Sequence, residues 1–201
     1  MYVFNARSEG DRNKENDPNY TGAKEIFKKP FFRHAIRGKR CLVIADGFIE
    51  GPEQEKLSKP YVVYLRDKQR PFAFAGLWDE WVDESTGEVI KGFSIITTVS
   101  NSITQLIEHH RSPVIITPGD EHLWLSPNTD LSDVLSLLGP YPGEEMNAYP
   151  IDPEIKNPRA KGMHLIQPIG ERLSPEQEYQ FHQDMQLQGM GMTTGRRKRK
   201  K

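Results

Sequence analysis

Phe72-Ala73-Phe74-Ala75-Gly76-Leu77-Trp78-Asp79-Glu80-Trp81 is followed by Glu84-Ser85-Thr86-Gly87-Glu88, and then by a segment from Val89 that ends Phe93-Ser94-Ile95-Ile96-Thr97-Thr98. This stretch decides the fold class. Its first part carries aromatic residues on alternate positions, the two-residue period of a strand. The polar run with Gly87 reads as a hairpin turn, and the β-rich segment after it as the returning strand. Just upstream, Tyr61-Val62-Val63-Tyr64-Leu65 is another strand candidate closed by a turn at Asp67-Lys68, so the three segments are expected to form an antiparallel meander.

Further out, Cys41-Leu42-Val43-Ile44-Ala45 is a short apolar run stopped by Asp46-Gly47, which reads as a buried strand entering a turn. Upstream of it, 11–21 reads as a polar loop and 23–34 as an irregular or amphipathic piece broken by Pro30. Downstream, Asn101 or Ser102 caps a helix over 103–109, and 113–117 reads as a strand. Pro118-Gly119-Asp120 opens a helix through Leu125, and a helix over 130–138 is stopped by Gly139-Pro140. Residues 141–168 are Pro-rich and read as a wrapping segment; Ser174-Pro175 begins a late helix. The pattern is α+β, dominated by antiparallel strands with helices at the periphery.

The chain has 201 residues and one cysteine. That length suits one domain with an appendage: a domain over 1–168, a helical extension over 169–188 and a flexible basic tail over 189–201. A single cysteine excludes an intrachain disulfide framework and a multi-cysteine metal site, and suits a reducing compartment. No apolar run approaches the ~18 residues of a membrane span, and the first residues lack the apolar stretch of a secretory signal. The sequence reads as that of a cytoplasmic protein.

The formal net charge of −1 conceals three blocks. Residues 1–70 carry +5, residues 71–195 carry −12, and the tail 196–201 carries +6. Lys24 to Arg40 is the densest basic stretch, with Arg37, Lys39 and Arg40 at its end. A polyanion responds to such a local field rather than to the net charge. A solvated basic surface fits the same residues.

Several residues have the chemistry of a site, each with a plainer reading beside it. Glu50 ends an apolar strand and turn, where desolvation raises a carboxylate's proton affinity and suits acid–base work; a surface glutamate at a strand end has the same sequence. His109-His110-Arg111 offers an acid–base imidazole and, in Arg111, a guanidinium for a carboxylate or phosphate; the plain reading is cations at a helix C-terminus. Extended Asn5-Ala6-Arg7-Ser8-Glu9 puts Asn5, Arg7 and Glu9 on one side. Thr97 and Thr98 offer hydroxyls at a strand end. Cys41, in an apolar run, reads as a small buried hydrophobe.

These segments, in this order, resemble the SRAP family, the SOS-response-associated peptidases or abasic-site processing proteins. The resemblance rests on Asn5-Ala6-Arg7-Ser8-Glu9, Arg40 through Glu50, Phe74-Ala75-Gly76-Leu77-Trp78, Ile95-Ile96-Thr97-Thr98 with Asn101, and His109-His110-Arg111-Ser112-Pro113-Val114. It implies a compact α+β domain with antiparallel, barrel-like sheets. It implies binding of single-stranded DNA at abasic sites in the DNA-damage response. In that chemistry an N-terminal cysteine condenses with the opened sugar aldehyde to a thiazolidine cross-link. By resemblance Asn5 positions the cysteine and sugar, and Arg7 lies near a phosphate. Glu50 is the acid–base residue of self-processing and reversal, and His109 assists ring opening. Thr98 offers a hydroxyl near the DNA backbone, and Arg111, Arg37, Lys39 and Arg40 join the DNA-binding set. The chain enters the family pattern at the asparagine motif, so the N-terminal strands and cysteine are expected to be missing, and any DNA complex to be non-covalent and salt-labile. Gly51 stands in place of a tryptophan, Ile49 of an aromatic and Ser112 of a methionine. No metal, small-molecule cofactor or membrane is expected, and the expected state is a monomer. Two other readings stand beside this one: a non-catalytic nucleic-acid-binding module, and a peptidase or hydrolase using Glu50 and His109.

Overall fold

The computed structural model describes residues 2–10, 24–55, 57–66 and 71–176. The loop expected over 11–21, the turn at Asp67-Lys68, the basic tail and most of the late helix lie outside these residues.

The hairpin read from 72–98 is the spine. Strand β5 (Phe72–Val82) and strand β6 (Val89–Val99) pair antiparallel from Gly76↔Ile95 to Val82↔Val89. The turn closes where Gly87, at φ +73°, donates its N–H to Asp83 O at 2.7 Å. Left-handed backbone is open to glycine without a side-chain clash. Strand β1 (Tyr2–Arg7) runs parallel to β6, with Asn5 opposite Ile95 and Arg7 opposite Thr97. This is a parallel pair in a sheet otherwise antiparallel, and the long crossover between β1 and β6 is what permits it. Strand β2 (Arg40–Ala45) lies antiparallel on the other side of β5. Gly76 allows that approach, since a Cβ there would stand 2.8 Å from Cys41 Sγ and from Val43 Cγ2.

The expected three-strand meander is corrected at its first member. β5 has its edges taken by β2, β6 and a later strand, so strand β4 (Tyr61–Leu65) turns into a second sheet. There it pairs with β3 (Phe48–Glu50) and β9 (Met146–Pro150). The sheets are mostly antiparallel, as read, but among the described residues they do not close into a barrel.

The strand expected over 113–117 is two strands. β5 and β6 diverge beyond Gly76 and Ile95, and the gap is filled from both sides. Strand β7 (Arg111–Pro113) pairs with β6, and β8 (Ile115–Ile116) pairs with β5. Val114 bridges the fork: its N–H donates to Ile96 O and its carbonyl accepts from Ala75 N, both at 2.9 Å.

The large sheet is covered on both faces. On one side Ala6, Ala75, Leu77, Ile96 and Ile116 pack with Ile36 of helix α1 (Ala35–Gly38), Trp124 of α3 (Glu121–Leu125) and Val134 of α4 (Leu131–Ser136). On the other, Phe72, Phe74 and Ile115 pack with Val63, Leu65, Met146 and Ala148 of the small sheet and with Ile103 of helix α2 (Ser102–Leu106). Adjacent residues thus go to opposite cores, Phe74 to one and Ala75 to the other. Burying each large side chain contributes about 1.5–3 kcal/mol.

Arg40 ties the helix layer to β2. Its guanidinium donates to Trp124 O, Ile36 O and Arg37 O at 2.5, 2.7 and 3.0 Å, and to Ser126 O. These are carbonyls at the ends of α1 and α3, which have no partner within their helices.

Candidate functional site

An open cleft of about 440 Å³ lies at the fork, lined by Asn5, Arg7, Glu50, His109 and Arg111 among others. Each wall follows from local structure. On β1, Asn5 and Arg7 face the cleft with Ala6 buried between them, as the alternation predicts; β1 ends at Arg7, so Glu9, expected on the same side, turns into the interior beside Ser8 instead. No described side chain pairs with the Arg7 guanidinium, whose carbonyl accepts from Lys29 Nζ at 2.8 Å. Phe48, Ile49, Phe74, Ile95 and Pro113 add an apolar lining.

Glu50 ends β3. Burial pushes its carboxyl above the usual value, against the opposing pull of His109 and of the Gly51 N–H. His109 Nε2 stands 3.4 Å from Glu50 Oε1. Its other nitrogen, Nδ1, lies 3.0 Å from Arg111 O. The Arg111 N–H also reaches that nitrogen, at 3.3 Å, so the Arg111 backbone engages Nδ1 and Nε2 is the nitrogen that faces Glu50.

The end of α2 delivers His109. Asn101 caps the start, its side chain accepting from Thr104 N at 3.0 Å and the Thr104 hydroxyl accepting from Asn101 N at 2.9 Å. At the other end Glu108 sits at φ +61°, its N–H bonded to Gln105 O, and His109 N–H reaches back to Thr104 O, both at 2.9 Å. This is a Schellman closure with glutamate at the position that favours glycine. It turns the chain sharply, so that His109 and His110 face Glu50 and Glu53.

Arg111 is only 11% exposed. Nη1 lies 2.9 Å from Glu9 Oε2, and Nη2 donates to Thr97 O at 2.6 Å and to the Thr97 hydroxyl at 2.9 Å. Glu9 is fully buried; its Oε1 accepts from Ser8 Oγ at 2.9 Å and Thr98 Oγ1 at 3.3 Å, and Lys24 Nζ is 3.6 Å away. Burial would raise its pKa, but Arg111 and the hydrogen bonds outweigh it and hold the carboxyl below the usual value.

The structure therefore brings together Asn5, Arg7, Glu50, His109 and Arg111. Thr98 is fully buried, with its hydroxyl between Lys24 and Glu9, while Thr97 lies on the cleft wall. Counting alternate residues back from Ile96, which faces the helix-side core, would have separated the two threonines. Arg40 is held by carbonyls away from the cleft. Arg37 is exposed on α1, and Lys39 pairs with Asp79 at 2.5 Å above the Trp78 ring; neither lines the cleft. Cys41, read as buried, is half-buried on β2, and the desolvation it does have pushes its thiol up. Glu53 and His110 also line the cleft and had no assigned part; Glu53 carried no sequence signal beyond lying three residues after Glu50. Among the described residues no helix is long and apolar enough to cross a membrane.

Residues 4–158 match the family described as SOS response associated peptidase (SRAP), a span that contains every one of the cleft residues just brought together. The chain belongs to the SRAP family. This SRAP chain is 36% identical over 147 residues to the abasic site processing protein YoqW of Bacillus subtilis, covering 72% of the chain and 64% of that relative. It is 30% identical over 155 residues to the abasic site processing protein HMCES of Xenopus tropicalis, covering 68% of the chain and 44% of the relative. A crystal structure of a Bacteroides thetaiotaomicron protein superposes with a TM-score of 0.69 at 35% identity, covering 83% of the SRAP chain and 66% of that protein. The chain thus spans about two thirds or less of the length of these curated relatives.

Proposed function

We propose that this SRAP chain binds single-stranded DNA at an abasic site and performs the acid–base step that opens the abasic sugar. The observation that carries the reading is the Glu50–His109 pair, 3.4 Å apart at the edge of the cleft, with Glu50's proton affinity raised by burial. The names of the relatives, abasic site processing proteins, supply the substrate class.

The cyclic abasic sugar is a hemiacetal. Opening it removes the proton of the 1′-hydroxyl, breaks the C1′–O4′ bond and delivers a proton to O4′, leaving an aldehyde and a 4′-hydroxyl. One group must accept a proton while another donates, and a Glu–His pair sharing a proton serves both. Asn5, exposed beside the pair, offers an amide to hold the sugar. Arg7, whose guanidinium has no partner among the described residues, offers it to the neighbouring phosphate, with Lys29 bonded to the carbonyl behind it. Positioned acid–base groups contribute about 10²–10⁴-fold.

An alkoxyamine tests this, because it condenses with the open aldehyde and not with the ring. The protein is expected to accelerate oxime formation on an abasic single strand, and Glu50→Gln and His109→Ala each to remove about 10²-fold of that rate. No acceleration over free DNA, with the strand bound, would remove the reading. Arg7→Ala is expected to weaken binding at low salt and to flatten its salt dependence.

A further inference from the structure

Beside the Glu50–His109 pair lies a second one. Glu53 begins the turn Glu53–Glu55 in the β3–β4 loop, and its Oε2 stands 2.5 Å from His110 Nδ1. Among the described residues that buried nitrogen makes no hydrogen bond, so the two side chains meet as a close contact that becomes an ion pair only when His110 is protonated. The Glu53 N–H also donates to Glu108 O at 3.3 Å. One residue therefore joins the β3–β4 loop to the α2–β7 connection by backbone and by side chain. Glu50 and His109 stand on those same two segments, three residues and one residue away. The His109 and His110 rings are 5.3 Å apart and tilted by 39°. Glu53 faces His110 with attraction, and His109, Arg111 and Arg7 face it with repulsion; burial, ahead of all of them, holds its pKa below the usual histidine value.

We propose that Glu53 and His110 are positioning residues that draw the two segments together and set the separation at which Glu50 and His109 exchange a proton. This rests on the abasic-strand reading above. The Glu53 N–H bond to Glu108 O ties the two segments whatever the charge on His110, and the side-chain contact adds attraction once His110 takes a proton, inside a partly dry cleft where a charge interacts more strongly than in water. A misplacement of the reacting groups by about 1 Å costs on the order of 10²-fold in rate, so loosening the clamp by less is expected to cost about tenfold.

The test uses the full chain and the alkoxyamine assay in single-turnover form at acidic pH, where His110 carries a proton, with strand affinity measured alongside. Glu53→Gln and His110→Ala are each expected to lower the rate about tenfold while leaving affinity within about twofold. The double variant is expected to fall no further than the worse single one, and His110→Arg, which puts a permanent cation facing Glu53, to recover at least about threefold over His110→Ala. Unchanged rates, rate losses that multiply in the double variant, or an affinity loss equal to the rate loss would overturn the proposal. A second readout does not need activity. In His110→Ala the Glu50 carboxyl, followed by ¹³C NMR, is expected to titrate higher than in the wild type, because His109 withdraws an interaction that lowers it. An unchanged Glu50 midpoint overturns the clamp whether or not the strand chemistry is found; a wild type without strand chemistry overturns the functional reading and leaves the NMR result to decide the clamp.

Discussion

Replacing Glu9 with glutamine removes one negative charge and almost no volume from the wall behind the cleft. The carboxylate is fully buried, 2.9 Å from Arg111 Nη1 and 3.6 Å from Lys24 Nζ. The substitution takes the Glu9 charge away from a guanidinium that is 11% exposed. Breaking a buried pair from one side costs about 3–5 kcal/mol. At about 2–4 °C per kcal/mol for a domain of this size, the melting temperature of Glu9→Gln should fall by roughly 6–20 °C. Circular dichroism melts and urea titrations at pH 7 measure it. The pH dependence supplies a second check. Glu9's folded pKa lies below its ordinary value, so the unfolded state binds the proton more readily between the two. The stabilisation is complete above the unfolded value of about 4.3 and is lost as the pH falls through the folded value below it. Wild-type stability should therefore drop along an acid limb that Glu9→Gln lacks. A loss under about 1 kcal/mol, below the range for a broken buried pair, or acid limbs of equal slope, would refute the assignment of Glu9 as the electrostatic anchor of Arg111.

Other consequences follow from single residues. Glu108→Gly relieves a left-handed backbone at the end of α2, so urea unfolding should show a gain of up to about 1 kcal/mol. Gly76→Ala places a Cβ 2.8 Å from Cys41 Sγ and Val43 Cγ2 and 3.1 Å from Cys41 O, and should destabilise by about 1–3 kcal/mol in the same assay. Glu50 has its pKa raised in the fold, so the folded state holds the proton more tightly and stability falls as pH rises from the unfolded value through the folded one. Glu50→Gln should accordingly be as stable as the wild type or more so at pH 7, measured by thermal melts, while losing the acid–base rate. Arg40→Ala takes a donor from four helix-end carbonyls, of which Ser126 O keeps the Thr129 N–H, and should destabilise by several kcal/mol, with DNA affinity reduced no more than at a residue remote from the cleft.

The β5–β6 hairpin and α2 with its Asn101 cap were legible because their signals are local: alternation, a glycine turn and a capping side chain. Which strands share a sheet was not, since β4's choice of β3 and β9 depends on β5 having its edges occupied. The parallel placement of β1 and the split of 113–117 into β7 and β8 have the same origin, a vacancy in a sheet that no window of sequence describes. Among site residues, Asn5 and Arg7 came from strand parity, and Glu50 and His109 from position after an apolar element. Thr98 and Arg40 show the limit of that reasoning. A threonine hydroxyl or a guanidinium serves an interior carboxylate or carbonyl as well as it serves a phosphate, and only depth distinguishes the two. Glu53 and His110 acquire a part only from each other.

The fork also orders events in time. The β5–β6 hairpin closes a short turn and can form early, whereas β1 joins β6 only after the chain between Arg7 and Gly92 has been looped back, and long loops carry a larger entropic cost and slow the folding step they belong to. β7 and β8 need β5 and β6 already splayed to receive them. Arg7, Glu50 and His109 therefore converge last, on a scaffold that is otherwise complete. A chain arrested part-way through folding carries all three side chains and none of their convergence.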